Sequence, residues 1–402
     1  MNNNINSYKG AKKPVSLILS LVLIISCLCF PAAASDTPSK ETVAAELNLT
    51  AGAMLDAVRA NVTNQTVSYN DFKNYALILK AGISDDTVTN SLIDYIKNHF
   101  YSDGTTNLEG DFYPAAWYVY IITFLNETKE DASDFNGINF NKLLEDYYLD
   151  SSNDVNIYME QYIAAAVEFN RDAFTNPDDI LTKAKNTVLD SYKDDASGTG
   201  IDYWGISVDN NGQCLSVLAP YYASDNDIKN KADAALAWTE TQFSENNAIL
   251  SWSSESASST ALALKAFAEF GDMENASRAY GGLLTLKASD IEGAYTGYTG
   301  SSDLSFSTPD ALMGLLAYYR ALDGKSTLEV VKADEPETTA EAESAAQTET
   351  TASNDSSTAI GSNDNINSES PATGDFEPIA LLFSVIMASG IIYAISLKAQ
   401  RN

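Results

Sequence analysis

The chain has 402 residues, 20% of them charged, and its formal net charge at pH 7 is −31. A surface this acidic repels phosphate backbones, so composition and charge exclude nucleic-acid binding. The single histidine, His99, and the three cysteines are too few for a zinc site of histidine and cysteine ligands. We therefore expect neither a metal site nor a cofactor.

Residues 1–34 have the three-part layout of a secretory signal peptide. Three lysines precede an apolar stretch at residues 15–30, and Ala32 and Ala34 then provide a small-residue cleavage site. The sequence IISC, which ends at Cys27, also fits the pattern that precedes a lipidated cysteine. Lipidation at Cys27 is therefore the alternative to cleavage after Ala34, and either route predicts export.

Residues 41–324 contain two kinds of helical segment that alternate along the chain. Six are strongly apolar and begin near Tyr75, Trp117, Gln161, Gln213, Thr260 and Pro309. Six are amphipathic and cover residues 41–60, 85–100, 139–149, 178–193, 227–243 and 274–286. A helix that is apolar around most of its circumference has to be covered on most sides, whereas a helix with one apolar stripe lies at a surface. A closed ring of about six helix pairs, apolar helices inside, meets both conditions and predicts an all-α fold, an α/α toroid.

Three residues in this region have plain structural interpretations. We expect Thr308 to cap a helix whose first turn holds Pro309. Cys214 is the only cysteine beyond the predicted signal peptide, so no internal disulfide can form, and we expect it to be a small core residue. His99 falls on an amphipathic segment, where we expect a solvated side chain.

Three segments of the chain carry a resemblance to a known family: NNGQCLSVLAPYY at 210–222, SESASSTALALKAFAEFG at 254–271 and STPDALMGLLAYYRAL at 307–322. They resemble the repeats of the terpenoid cyclase and protein prenyltransferase toroid, in the style of its surface-protein branch in Gram-positive bacteria. The resemblance implies the fold but no single activity. The Asp-x-Asp-Asp motif of a cyclase is missing, and GQCLS does not match the Cys-Gly-Glu-Gln thioester sequence.

Acidic residues near the beginnings of the apolar helices are the candidates for chemistry: Glu160, Asp209, Glu255 and Asp310. In a toroid these helix ends converge on one face, where a pair of carboxylates can act as the acid and base of a glycosidase. Acidic residues also favour helix N-termini because they interact well with the helix dipole. Catalysis is therefore the alternative to binding, and we assign no catalytic residue.

Aromatic residues offer a stacking surface for sugars or a flat cofactor. The candidates are Trp117, Tyr203, Trp204, Tyr295 and Tyr298. The loop GAYTGYTG at 293–300 is the best of these positions because its glycines expose the rings. Aromatic residues on apolar helices more often belong to a core.

The last part of the chain predicts a tether and an anchor. Residues 325–369 are acidic and rich in Ser, Thr and Glu, and we expect a disordered stalk. An uncharged apolar stretch at 379–397 has the length of a transmembrane helix, and the basic tail at 398–402 is typical of a cytoplasmic end.

Between stalk and span lies the sequence SPATG, formed by Ser370, Pro371, Ala372, Thr373 and Gly374. In this setting it resembles the Leu-Pro-x-Thr-Gly sorting signal of Gram-positive wall-anchored proteins, with serine in place of leucine. The resemblance implies a sortase as partner: its cysteine attacks the Thr373 carbonyl, expels Gly374 and passes the chain to an amine of the peptidoglycan.

Taken together, these features predict a cell-surface protein of a Gram-positive bacterium, membrane-bound before sorting and then wall-anchored. Its toroid is expected to bind or adhere to a glycan, a protein or a small molecule. The alternatives are an exported glycan-active enzyme and a corrinoid-type carrier, since vitamin-B12 transport proteins are similar in fold.

Overall fold

The computed structural model describes residues 37–108 and 112–324, which lie in one compact unit. The predicted signal peptide at 1–34 with Cys27, the stalk at 325–369, the sorting motif at 370–374, the membrane span at 379–397 and the tail at 398–402 lie outside the described residues. Within the described part, no helix combines the length and apolar character needed to cross a bilayer.

The described residues form twelve α-helices and two short hairpins. The helices are α1 Lys40–Asn64, α2 Tyr69–Lys80, α3 Asp86–His99, α4 Pro114–Glu127, α5 Phe140–Leu149, α6 Glu160–Phe169, α7 Pro177–Asp190, α8 Val208–Cys214, α9 Asn226–Glu240, α10 Ala257–Glu269, α11 Met273–Leu284 and α12 Ser307–Ala321. Short 3-10 helices cover Ile157–Met159, Arg171–Ala173 and Leu215–Tyr221. The strands are β1 Tyr192–Asp195, β2 Gly198–Ile201, β3 Ile249–Ser251 and β4 Ser254–Ser256.

The mainly helical character predicted from the sequence is confirmed. Every apolar segment falls on an even-numbered helix, although each of these helices begins earlier than expected. Every amphipathic segment falls on an odd-numbered helix. The antiparallel hairpins β1–β2 and β3–β4 were not predicted from the sequence. Strands of three or four residues show too little alternation to be recognised in a sequence.

Burial separates the two kinds of helix as their composition predicts. The odd-numbered helix α3 buries only Val88, Leu92 and Ile96, which are spaced four residues apart and form one stripe. The even-numbered helix α4 is buried from Ala115 to Ile122 without a break. The even-numbered helices therefore supply the centre of the hydrophobic core.

The even-numbered helices contact one another in a closed order. α2 packs against α4, α4 against α6, α6 against α8, α8 against α10 and α10 against α12, and α12 returns to α2. Odd-numbered helices pack beside them: α1 contacts α2 and α12, α5 contacts α4, and α11 contacts α10 and α12.

Cross-contacts show that α10 and α12 run in the same direction, and that α2 and α4 do so as well. At their N-terminal ends, the Ser258 hydroxyl of α10 donates to the Asp310 carboxylate of α12. At their C-terminal ends, Lys80 of α2 lies 3.6 Å from Glu127 of α4. The end of the described region at which these helices begin is called the central face below.

One capping prediction is wrong. Helix α12 begins at Ser307, before Thr308, and the Thr308 hydroxyl accepts a hydrogen bond from the Tyr295 backbone at 3.0 Å. The helix start is held instead by Asp303, whose carboxylate accepts from the backbone amides of Phe306 and Ser307 at 3.1 Å each. A nearby aspartate thus supplies the acceptor that the helix needs.

Candidate binding site

The structure brings together two of the four candidate carboxylates, Asp209 and Asp310. Asp209 lies in the first turn of α8 and Asp310 in the first turn of α12, with α10 between them. Adjacent serines of α10 serve both: Ser258 donates to Asp310, and Ser259 hydrogen-bonds to Asp209. The two carboxylates therefore face the same part of the central face and interact electrostatically.

Burial changes the acidity of both carboxyl groups. It raises the pKa of Asp310 to about 6, and the nearby Asp209 charge adds to this effect, while the Ser258 hydrogen bond and the Lys73 ammonium oppose it. Burial also raises the pKa of Asp209, with Ser259 opposing. Near neutral pH the Asp310 carboxyl can therefore gain or lose a proton.

Each of the other even-numbered helices contributes a polar group or an aromatic ring to the part of the central face around Asp209 and Asp310. Lys73 of α2 interacts with Asp310, and its ammonium lies 5.9 Å from the ring centroid of Tyr120 on α4. Tyr120 meets Tyr162 of α6 edge-to-face at 5.0 Å, and the Tyr162 hydroxyl donates to the Met313 sulfur of α12 at 3.6 Å. We name Lys73, Tyr120, Tyr162, Asp209, Ser258, Ser259 and Asp310 the central cluster.

Two charged groups of the central cluster are incompletely paired among the described residues. The Oδ1 atom of Asp209 is buried and accepts no hydrogen bond. Burial lowers the pKa of Lys73, against the attraction of Asp310, and the ammonium forms no ion pair within 4.0 Å among the described residues. Incompletely paired charges cost stability when they are buried, so the place where these two groups converge is the candidate binding site.

A series of aromatic contacts leads from the surface to Asp209. Trp204, which is 89% exposed, stacks on Tyr203 with ring centroids 4.6 Å apart. Tyr203 meets Tyr158 edge-to-face at 5.3 Å, and the Tyr158 hydroxyl donates to Asn210, the neighbour of Asp209, at 2.6 Å. The exposed ring of Trp204 is therefore connected through two partly buried tyrosines to the residue beside Asp209.

Asn210 fixes the loop that carries these rings. Its amide nitrogen donates to the carbonyls of Ile201 at 3.2 Å, Tyr203 at 3.1 Å and Gly205 at 2.7 Å. Trp204 lies between these bonds with a φ of 59°, a left-handed conformation that is uncommon for tryptophan. The surrounding contacts therefore hold an exposed tryptophan in a conformation that the chain would otherwise avoid.

More exposed aromatic rings occur in the segments that lead into α8, α10 and α12. These are Trp204 at 89% exposure, Trp252 at 89%, Tyr298 at 84% and Phe306 at 69%. Trp252 occupies the turn of the β3–β4 hairpin, with a φ of 54°. Large exposed rings gathered at one end of a domain are typical of interaction surfaces. We name these four residues the aromatic rim.

The other two candidate carboxylates lie elsewhere. Glu160 is buried, and it accepts a hydrogen bond from the Tyr148 hydroxyl of α5. Glu255 lies in β4, where it accepts from the Ser244 hydroxyl at 2.6 Å and from the Asn246 amide at 3.0 Å. Their contacts link elements of the fold, so neither joins the pair formed by Asp209 and Asp310.

Two of the five aromatic candidates do not fit a stacking surface. Trp117 is only 6% exposed and stacks on Tyr95 at 6.0 Å within the core. Tyr295 is fully buried, and its hydroxyl donates to Glu46 at 2.8 Å. Of the 293–300 loop, only Tyr298 presents an exposed ring.

Cys214 is buried and free, as expected for a core residue, and burial raises its pKa to about 12. His99 contacts the Asn107 side chain at 2.7 Å, and its ring centroid lies 4.2 Å from that of Tyr95. No group of three or more potential metal-ligating side chains occurs among residues 37–108 and 112–324.

Sequence reasoning missed Lys73, Tyr120, Tyr162 and the paired serines of α10. A signal for Lys73 was present, because a lysine within the apolar helix YNDFKNYALILK has to be buried or lie at an opening. The tyrosines carried no signal, because the same residues are equally suited to a core.

No family model matches this chain, and no curated protein matches it significantly.

Proposed function

We propose that the helical region is an α/α toroid. The closed order of contacts among the even-numbered helices supports this arrangement, as does the shared direction of α10 and α12 and of α2 and α4. In such a ring the beginnings of the helices meet at one face, which is where the central cluster and the aromatic rim lie.

We propose that the toroid binds a carbohydrate at the central face. The observation that carries this proposal is the combination of the aromatic rim with buried polar groups at the same end of the even-numbered helices. Sugar rings have an apolar C–H face that stacks on aromatic rings and hydroxyl groups that bond to carboxylates. Sites of this kind combine apolar contact area with a few placed polar groups.

The binding proposal is tested by replacing the exposed tryptophan that begins the aromatic series. We expect Trp204→Ala to weaken binding of the full-length protein to its preferred polysaccharide by about tenfold or more, equivalent to roughly 1.4 kcal/mol. Pull-down on chitin, cellulose and peptidoglycan measures this. The change should not affect folding because Trp204 is 89% exposed.

The control for this test is Leu49→Ala, which removes an exposed apolar side chain from α1. It should leave binding unchanged. Absence of binding to every polysaccharide would refute the proposal. Release of reducing ends by the wild-type protein would favour the second candidate, a glycan-active enzyme, which is supported by the Asp209 and Asp310 pair with a pKa of about 6 at Asp310.

We further propose that a sortase anchors the protein to the cell wall of a Gram-positive bacterium. This proposal rests on the SPATG sequence at 370–374, the apolar stretch at 379–397 and the basic tail at 398–402. The toroid is then displayed outside the cell on an acidic stalk.

Thr373→Ala tests the anchoring. Because the sortase has to recognise the threonine side chain before its cysteine attacks the carbonyl at this position, we expect the variant to stay in the membrane fraction and to be missing from the protein released by wall-digesting enzymes. Thr350→Ala makes the same change within the predicted stalk and should behave like the wild type. A Thr373→Ala variant that is still covalently joined to the wall would contradict the proposal.

A further inference from the structure

The two carboxylates of the central cluster differ in their partners. Asp310 interacts with the Lys73 ammonium and accepts a hydrogen bond from Ser258. Asp209 has Ser259 alone, and no lysine or arginine of residues 37–108 and 112–324 forms an ion pair with it. Its Oδ1 atom is buried and accepts no hydrogen bond within the same residues. The central face therefore holds one carboxylate that interacts with a lysine and one that does not.

A buried carboxylate without a cation is costly, because the interior replaces the solvation by water only poorly. One hydroxyl donor offsets a part of this cost. A ligand that brings a positive charge and hydrogen-bond donors to Asp209 would gain the remainder as binding free energy. A neutral hydroxyl group would gain less, since charge-assisted hydrogen bonds are about twice as strong.

The inference rests on the carbohydrate-binding function proposed above. We propose that the sugar unit held at the central face carries a protonated amino group, which donates to the carboxylate of Asp209. The sugar class is therefore an oligosaccharide with free amines, such as a 2-amino-2-deoxy sugar without its acetyl group.

The surroundings give the amine one preferred position. Lys73 lies beside Asp310 and repels a second ammonium there. On the other side, Tyr158 interacts with Asp209 and continues through Tyr203 to Trp204, so aromatic faces line the approach. Aromatic faces attract cations as well as the C–H face of a sugar. The sugar can thus stack on the outer rings while its amine meets Asp209.

The charge of the whole chain favours the same class of ligand. A formal net charge of −31 attracts polycations and repels acidic polysaccharides at a distance. This long-range attraction is not specific, so the test has to separate it from recognition at Asp209.

The experiment compares two matched ligands, a glucosamine hexamer and an N-acetylglucosamine hexamer. Binding to the full-length protein is measured by calorimetry at about 0.15 M salt, where attraction between distant exposed charges is largely screened. We expect the wild type to bind the free-amine oligomer at least tenfold more tightly. Asp209→Asn, which keeps the shape of the side chain, should reduce this preference to near unity.

Asp94→Asn is the matched control, because Asp94 is an exposed aspartate of α3. It removes the same charge from the surface and should preserve the preference. The wild-type ratio also tests the inference without any variant, should Asp209→Asn fail to fold.

The outcomes separate the two proposals. If neither oligomer nor any polysaccharide binds, the carbohydrate function fails and the inference fails with it. If both oligomers bind equally, or if Asp209→Asn keeps the preference, carbohydrate binding stands and the inference alone is overturned. Loss of both oligomers in a folded Asp209→Asn variant would also overturn it, since Asp209 would then not distinguish the amine.

Discussion

Glu160 begins α6 with a buried carboxyl group that the Tyr148 hydroxyl contacts. Burial raises its pKa to about 7, against the opposing effects of Tyr148 and Lys183. A glutamate in an unfolded chain has a pKa of about 4.3. Between these values the folded state binds more protons than the unfolded state, so stability is greatest on the acidic side and is lost as the pH rises through about 7.

Glu160→Gln should reduce this pH dependence, because glutamine has no proton to lose. The wild type is expected to lose up to about 3 kcal/mol of unfolding free energy from this group between pH 5 and 8. The variant should lose less over the same range, with some dependence remaining from Asp310, whose pKa is also raised. Urea unfolding at several pH values measures the difference.

Glu130→Gln, at an exposed position, serves as the control and should follow the wild-type curve. Parallel stability curves for the wild type and Glu160→Gln would show that the buried carboxyl group is not the cause.

At the scale of the elements, α8 and α12 each approach α10 through a glycine. A larger residue at either contact would not leave room for so close an approach. A Cβ atom at Gly314 of α12 would lie 2.4 Å from the Ala261 carbonyl oxygen, and one at Gly212 of α8 would lie 2.5 Å from the Leu262 carbonyl oxygen. In both cases the added Cβ atom would collide with a backbone atom, which cannot rotate away as a side chain can. This spacing holds Asp209 and Asp310 near the serines of α10.

Gly314→Ala is expected to destabilise the protein by at least 1–3 kcal/mol, roughly the cost of overpacking a core. Gly281→Ala provides the matched control, because Gly281 is exposed in α11 and has nothing within 4 Å of an added Cβ. That change should stabilise by up to about 1 kcal/mol through helix propensity. Thermal unfolding compares the two, and a Gly314→Ala variant as stable as the wild type would contradict the close approach.

The helices could be predicted from the sequence because the pattern of apolar residues in each segment is typical of a helix. The burial of α3 through Val88, Leu92 and Ile96 follows directly from spacing. The central cluster could not be predicted in the same way, since its members come from six helices and meet only through the packing. Nor could the exposure of Trp252, which depends on the turn of a hairpin whose strands have three residues each.

At the scale of the whole molecule, the overall negative charge and the charged groups of the central cluster are distributed differently. The charge of −31 belongs to the chain as a whole, whereas the central cluster combines both signs with tyrosine rings. In the proposed binding, the overall negative charge would influence which ligands approach, and the central cluster would select the ligand that stays bound. A partner that is merely basic would satisfy the first condition and not the second.

The first and last helices meet at one end of the described region. The Lys40 ammonium pairs with Asp323 and lies 4.6 Å from the Tyr319 ring centroid, at the C-terminal end of α12. Since α12 begins at the central face, Gly324 lies at the opposite end of the described region from the aromatic rim. A ligand held at the rim would therefore not contact the C-terminal end of α12.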